Sequence, residues 1–297
     1  MKRTIKIFSA ITALVATGLL ALSGCTANVV SYEKYANADL YTVGSASIAA
    51  TDVKKIEIDW VGGSIEIEQT TSPTLQVIEE VDARESSGKE SERMRYYLDG
   101  DVLKVKYCES GLRGNINTQN KELRVEIPAG ISLDVDSVSA GVTLGVIEST
   151  DLSVESVSGN ISAERIVCDN AEIETVSGKI IIGELLGNSL SLESVSGECS
   201  ITRLSVNALD AETVSGDLAF GVQKALTAEI ESTSADITFN LGAGLGATLR
   251  LETATGKFNT EKEYGKTGSR YDVYGADGTS TDCLFEVDVF SGNVYIQ

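Results

Sequence analysis

The sequence predicts an all-β protein, a parallel β-solenoid with roughly 19-residue repeats. Six segments, DVDSVSAGVTL, SVESVSGNISA, EIETVSGKIII, SLESVSGECSI, DAETVSGDLAF and EIESTSADITF, align without a gap. Their reference position, a Gly or the Ala in its place, falls at Ala140, Gly159, Gly178, Gly197, Gly216 and Ala235, a spacing of 19 residues five times running. A fixed period of this length marks a stacked repeat architecture. Within each copy apolar residues alternate with period two, the strand signature, and no 3.6-residue period appears. Looser copies carry Gly63 (EIDWVGGSIEI), Gly256 (RLETATGKFN) and Gly292 (EVDVFSGNVYI).

Positions are counted from that reference residue. The +2 and +4 residues are apolar, as in Ile161/Ala163, Ile180/Ile182 and Leu218/Phe220, and so are −7 and −5, as in Leu133/Val135 and Leu190/Leu192. Each pair predicts a short strand. Position −2 is Val138, Val157, Val176, Val195 and Val214, in parity with +2 but not with −5. The chain is therefore expected to bend between −5 and −2, at the acidic and Ser/Thr positions. A less regular third side is expected around the apolar +7 residue (Ile147, Ile166, Leu185, Leu204), with Asn and Asp turns after it. Such a unit closes no core alone, but stacked copies do, at about 4.8 Å per step. A meander of hairpins competes with this reading, but Val-Ser-Gly matches two-residue hairpin turns poorly. Ala140 and Ala235 in the reference column point to a slot without room for a side chain rather than to a left-handed backbone.

The ends read differently. Lys2, Arg3 and Lys6 precede an uncharged, mostly apolar run over residues 7–22, which Ser23-Gly24-Cys25 closes. This is the order of a secretory leader, and its ending looks like a bacterial lipobox in which Cys25 receives the lipid. The run holds 16 residues, short of the roughly 20 that span a bilayer. Residues 1–24 are thus a lipoprotein signal peptide and 25–46 a lipid-anchored tether with some local order. Residues 47–130 are an irregular, strand-rich opening of the solenoid, with a charged loop over 82–95, and 131–297 are the repeat solenoid. Without the leader the chain keeps 21 basic and 44 acidic residues, a net charge of −23. Anionic lipid repels such a domain, so the lipid must do the anchoring.

The lipobox, the Ile-Pro-Ala-Gly strand end at residues 127–130 and the stacked SVSGxIxI copies resemble the bacterial lipid-anchored putative-adhesin family of β-strand-repeat proteins, a domain of unknown function. The resemblance covers residues 50–297. It implies an envelope-associated, non-enzymatic β-solenoid on the extracytoplasmic face of the bacterial cell membrane.

Composition excludes several chemistries. The chain has no histidine, so Ser-His-Asp and Cys-His catalysis and His-ligated metals are ruled out. Its net charge of −20 speaks against nucleic acid as a partner. The pointed feature is a column of acids at −4: Glu155, Glu174, Glu193, Glu212 and Glu231, extended by Asp136 and Glu252, with Asp59 and Asp288 in outlying copies. It reads either as a solvated outer face or as a face for cations or cationic peptides. Neither an EF-hand loop nor a calcium-binding nonapeptide is present. Ser and Thr at −3 and −1 read as corner hydroxyl ladders, since no base stands by to activate them. Cys108, Cys168, Cys199 and Cys283 form no C-x-x-C; Cys199 reads as a core filler, and Cys168 lies in another column, too far for a bridge to it. No catalytic, metal or cofactor residues are assigned, and no cofactor is expected. Three functions compete: a structural or adhesive envelope module, an envelope-stress sensor binding cations on the acidic face, and a polysaccharide-active enzyme. The enzyme is disfavoured by the lack of long insertions and of a basic cluster. The partners expected are the membrane, through the anchor, and an unknown envelope protein, glycan or cationic ligand.

Overall fold

The computed structural model describes residues 30–81, 89–114 and 121–297. They form two compact units that divide between Ser162 and Ala163. The leader and Cys25 lie outside the described residues, as do 82–88 of the expected charged loop.

In the C-terminal unit one sheet stacks the strands Asn170–Thr175, Ser189–Ser194, Ala208–Thr213 and Thr227–Ser232 in parallel. Asn170 pairs with Ser189, Ser189 with Ala208 and Ala208 with Thr227, so each rung is offset from the next by one 19-residue copy. A second sheet stacks Ile180–Leu186, Cys199–Ser205, Leu218–Val222 and Ile237–Leu241 in the same way. The period-two pattern explains both sheets. Leu190, Leu192, Ile201, Phe220 and Phe239 point inward and are fully buried, at 1% exposure or less. The sheets share this core: Phe239 of the second stacks on Phe285 of the first at 4.1 Å.

The corner differs from the sequence expectation. The first strand runs through the acid at −4 and the hydroxyl at −3, and the next begins at +2. The bend therefore falls at −2 to +1, on Val-Ser-Gly-X. Hydrogen bonding is the reason. The −3 hydroxyl turns inward and serves the corner backbone: Ser194 and Thr213 donate to the carbonyls of Gly197 and Gly216, and Thr175 accepts from the N–H of Gly178. Outward Ser196 and Ser215 at −1 donate to the carbonyls of Val176 and Val195, each one rung back. Valine at −2 is left half-exposed on the outside. The expected third side is also absent as a separate face. Buried Leu185 and Leu204 at +7 belong to the second strand, where two consecutive outward residues break the alternation.

The reference column is a steric slot. A Cβ on Gly159, Gly197 or Gly216 would lie 1.9–2.0 Å from the carbonyl oxygen one rung back, and none of the three has a left-handed backbone. The slot gives by one methyl at most, as at fully buried Ala140 and Ala235. Gly216→Val is therefore expected to cost about 3 kcal/mol, because the obstacle is backbone and cannot rotate away. An unchanged urea midpoint would remove this steric reading.

Chain order and stacking order part at the C-terminus. The strand Thr227–Ser232 pairs not with the next copy but with the last, Cys283–Val289. Cys283–Val289 then pairs on its other side with Ala247–Thr253. In the second sheet Val294–Ile296 likewise lies between Ile237–Leu241 and Phe258–Thr260. The hairpin Tyr264–Thr267 and Arg270–Val273 closes the outer end.

The N-terminal unit repeats this device. Lys55–Trp60 lies between Val102–Lys106 and Ser132–Ser137, and Ser132–Ser137 pairs with Asp151–Ser156. In the second sheet Ser64–Gln69 lies between Lys121–Ile127 and Gly141–Glu148. The expected loop ends early: Glu90–Glu92 is a 3-10 turn, Met94 is buried, and Arg95 opens the strand Arg95–Asp99. Residues 30–46, read as a tether, hold short pairings: Val30–Ser31 with Arg113–Gly114, and Thr42–Val43 with Tyr96 and Arg95. The four thiols Cys108, Cys168, Cys199 and Cys283 are buried and form no disulfide, and Cys199 fills the core as expected.

Candidate functional site

The acidic column is a product of strand register. Parallel pairing puts Glu174 beside Glu193, Glu193 beside Glu212 and Glu212 beside Glu231. Adjacent strands are about 4.8 Å apart, so like charges recur at that interval. Asp288 and then Glu252 extend the row, following the stacking order rather than the chain order. Glu155 belongs to the N-terminal unit, where its neighbours in the same column are Asp136 and then Asp59.

The column is less solvated than a plain outer face. Glu174 is buried, Glu193, Glu212 and Glu231 are half-buried, and only Asp288 and Glu252 are exposed. Charge balance differs between the units. In the N-terminal unit Lys106 pairs with Asp59, and Lys55 bridges Asp134 at 2.7 Å and Glu57 at 3.1 Å. In the C-terminal unit the outward −6 and −4 positions of the four regular rungs are Glu172, Glu174, Ser191, Glu193, Asp210, Glu212, Glu229 and Glu231, with no base among them. Arg250 joins only further along, 3.4 Å from Glu286.

Crowding moves protons. Burial, then the charges of Glu172 and Asp210, push the Glu193 carboxyl above its ordinary range. Asp136 is raised to about 6, by burial first and then by Asp134 and Glu57, against Lys106 and Lys55. Among the described residues no three acidic or thiol side chains converge so as to hold a metal ion. The second sheet carries its own ladder, Arg165 and Arg203 flanking Glu184 at 2.9 and 3.2 Å. In the N-terminal unit an open hollow of about 410 Å³, walled by Ala50, Val53, Pro128 and Ile131, has only Lys54, Ser132 and Thr150 as polar side chains and no carboxylate.

One charged cluster escaped the sequence reading. In the N-terminal unit the side chain of Glu79 is fully buried, and Oε1 meets Lys121 Nζ at 2.7 Å. Arg93 Nε lies 2.5 Å from Glu79 Oε2, and the Met94 N–H donates to Oε1. Lys121 also donates to the carbonyls of Glu92 and Tyr107. Its ammonium lies 4.9 and 4.0 Å from the ring centres of Trp60 and Tyr107. Parity would have exposed it: Glu79 continues the inward series Leu75 and Val77, and Lys121 opens the series Leu123, Val125 and Ile127.

No curated protein matches the chain. Among solved structures, a putative lipid binding protein from Parabacteroides distasonis ATCC 8503 aligns at 17% identity and a TM-score of 0.52, covering 85% of this chain and 96% of that one. Putative adhesins from Bacteroides fragilis NCTC 9343 and Parabacteroides merdae ATCC 43184 align at 13% identity each, with TM-scores of 0.48 and 0.47. They cover 86% and 90% of this chain and 97% and 100% of theirs. At such identities the likeness to the first concerns the fold alone. The model of the Toastrack DUF4097 family matches residues 53–297, a span that includes the corners, slots and inserted rungs described above, and the chain belongs to that family.

Proposed function

We propose that this chain is a non-enzymatic, lipid-anchored protein of the bacterial cell envelope that displays its β-solenoid surface for structural or adhesive contacts on the extracytoplasmic face of the membrane. The observation that carries this reading is the regularity of the rungs from 170 to 241. Their hydroxyl columns are engaged in corner hydrogen bonds, and their outward columns pass from rung to rung without a long insertion. Enzymes instead gather unlike polar groups beside a cleft. The lipobox ending at Cys25 supports the anchor. Cys25→Ala is expected to release the chain from the membrane fraction or to stall its processing, read by fractionation. Processed protein retained in the membrane would end the lipoprotein reading. Capture of partners from native envelope by the lipidated chain tests the contact role.

A second reading, cation or cationic-peptide binding on the acidic face, is favoured by the raised carboxyls of Asp136 and Glu193. For Asp136 the folded value of about 6 lies above the ordinary 3.8, so the native state holds the proton more readily than the unfolded chain. Its stabilising contribution is complete below about pH 4 and is lost as pH rises through about 6. Asp136→Asn should thus stabilise the protein by about 1–2 kcal/mol at pH 7 and flatten the melting temperature between pH 4 and 7. Millimolar Ca²⁺ or a polycation at low ionic strength should raise the wild-type melting temperature, and less so after Glu193→Gln. No shift with either cation leaves the column a solvated face.

A further inference from the structure

We infer that the tyrosine-bearing end of the N-terminal unit, formed by residues 32–43 and the strand Arg95–Asp99, seats against the phospholipid interface. The inference rests on the lipid-anchor reading and names the surface that the anchor draws to the membrane. Val30 and Ser31 are held by Gly114 and Arg113, and the Tyr32 N–H donates to the carbonyl of Leu112. Only four residues, 26–29, separate the lipidated Cys25 from this fixed point. Five residue steps span at most about 17 Å. The surface beside Val30 is therefore confined to the membrane's immediate vicinity.

That surface has the composition an interface favours. Tyr32, Tyr35, Tyr41 and Tyr97 form a row of rings with centres 6.1, 4.8 and 5.4 Å apart. The Tyr35 hydroxyl donates to the carbonyl of Cys108, which fixes the row to the sheet. Beside it Leu40 is 51% exposed and Val43 36%. The hydroxyls of Tyr32 and Tyr35 are bonded to the backbone of Tyr107 and Cys108, so it is half-buried Tyr41 and Tyr97, with the exposed aliphatic groups, that suit the headgroup boundary, where one end of a ring is apolar and the other wet. Charge agrees. Residues 30–49 and 89–114 carry seven basic and seven acidic side chains, against 24 and 44 in the whole chain. Near-balanced charge spares this end much of the repulsion that anionic lipid exerts on the acidic columns.

Depth-dependent quenching tests the seating. Bimane is attached to Leu40→Cys or, in a second protein, to Ser153→Cys, in the full lipidated chain reconstituted into vesicles with a headgroup spin-labelled phospholipid. The described native thiols are 0–5% exposed and leave the new one to react. The strand of Ser153 lies four strands in from that of Tyr97, along the order Arg95–Asp99, Val102–Lys106, Lys55–Trp60, Ser132–Ser137, Asp151–Ser156, or about 19 Å. Loss of most emission at position 40 with little loss at 153 is the expected result, and Val43→Cys should behave like position 40. Equal quenching at 40 and 153, or none at 40, in protein that floats with the vesicles overturns the seating and leaves the anchor standing. Protein that does not float overturns both.

Discussion

Ending the chain after Asp282 is expected to unfold the C-terminal unit, not to trim its edge. The removed residues include Cys283, Phe285, Val287, Val289, Val294 and Ile296, each at 1% exposure or less. At roughly 1.5–3 kcal/mol per buried apolar side chain, their loss withdraws roughly 10 kcal/mol. That matches the whole stability of an ordinary domain, about 5–15 kcal/mol. The damage goes beyond area, because the lost rung is internal. Ala247–Thr253 and Phe258–Thr260 lose their parallel partners, and Phe239 loses the ring stacked at 4.1 Å. Far-UV circular dichroism should show no cooperative melt for this unit, and limited proteolysis should digest it from its C-terminal side. A truncated chain that melts near the wild-type temperature would mean that the rungs on either side of the gap can pair directly, and the inserted position of the last copy would then carry no energetic weight.

The contrast between what was legible and what was not has a physical basis. A gapless period fixes which residues stack, because each column repeats its chemistry: Glu174, Glu193, Glu212 and Glu231 could be aligned from their letters and are adjacent by register. A period does not say in what order distant copies stack. The copies at Gly256 and Gly292 look equivalent in sequence, yet the later one lies inside the earlier. The expected corner lay three positions too early, for a different reason. Valine at −2 reads as inward because it is apolar, but Val195 and Val214 lie half-exposed outside, while Ser194 and Thr213 keep the inward parity of Leu192 and Ala211 because their hydroxyls satisfy buried backbone groups. The Toastrack family match and the sheet topology agree with the solenoid, while the column's partial burial lay beyond any pattern of letters, since it depends on side-chain packing across rungs.

Glu79→Ala is expected to destabilise the N-terminal unit by about 3–5 kcal/mol, because it leaves the ammonium of Lys121 buried without its counter-charge. Lys121 is 5% exposed, and its side chain reaches inward between Trp60 and Tyr107. Burial pushes its pKa down, against the charge and hydrogen bond of Glu79. Burial pushes Glu79 up, but the charge and hydrogen bond of Lys121, then Arg93 and the Met94 N–H, outweigh it and hold the carboxyl below its ordinary 4.5. The sign follows. A depressed carboxyl contributes stability above its unfolded pKa and loses it as pH falls through the folded value. Acid unfolding of the wild type should therefore include this group, and the variant should lose less on acidification. Trp60 is the chain's only tryptophan and lies 4.9 Å from the ammonium, so its fluorescence reports this site separately from the global melt. The double variant Glu79→Leu with Lys121→Met should recover part of the loss, since it removes both charges while keeping volume, although the Met94 N–H and two carbonyls lose a partner. A Glu79→Ala protein with unchanged urea midpoint and unchanged Trp60 emission would show that water or Arg93 rearranges to satisfy Lys121, and that the buried pair, which joins neighbouring strands of one sheet, contributes little to the stability of this unit.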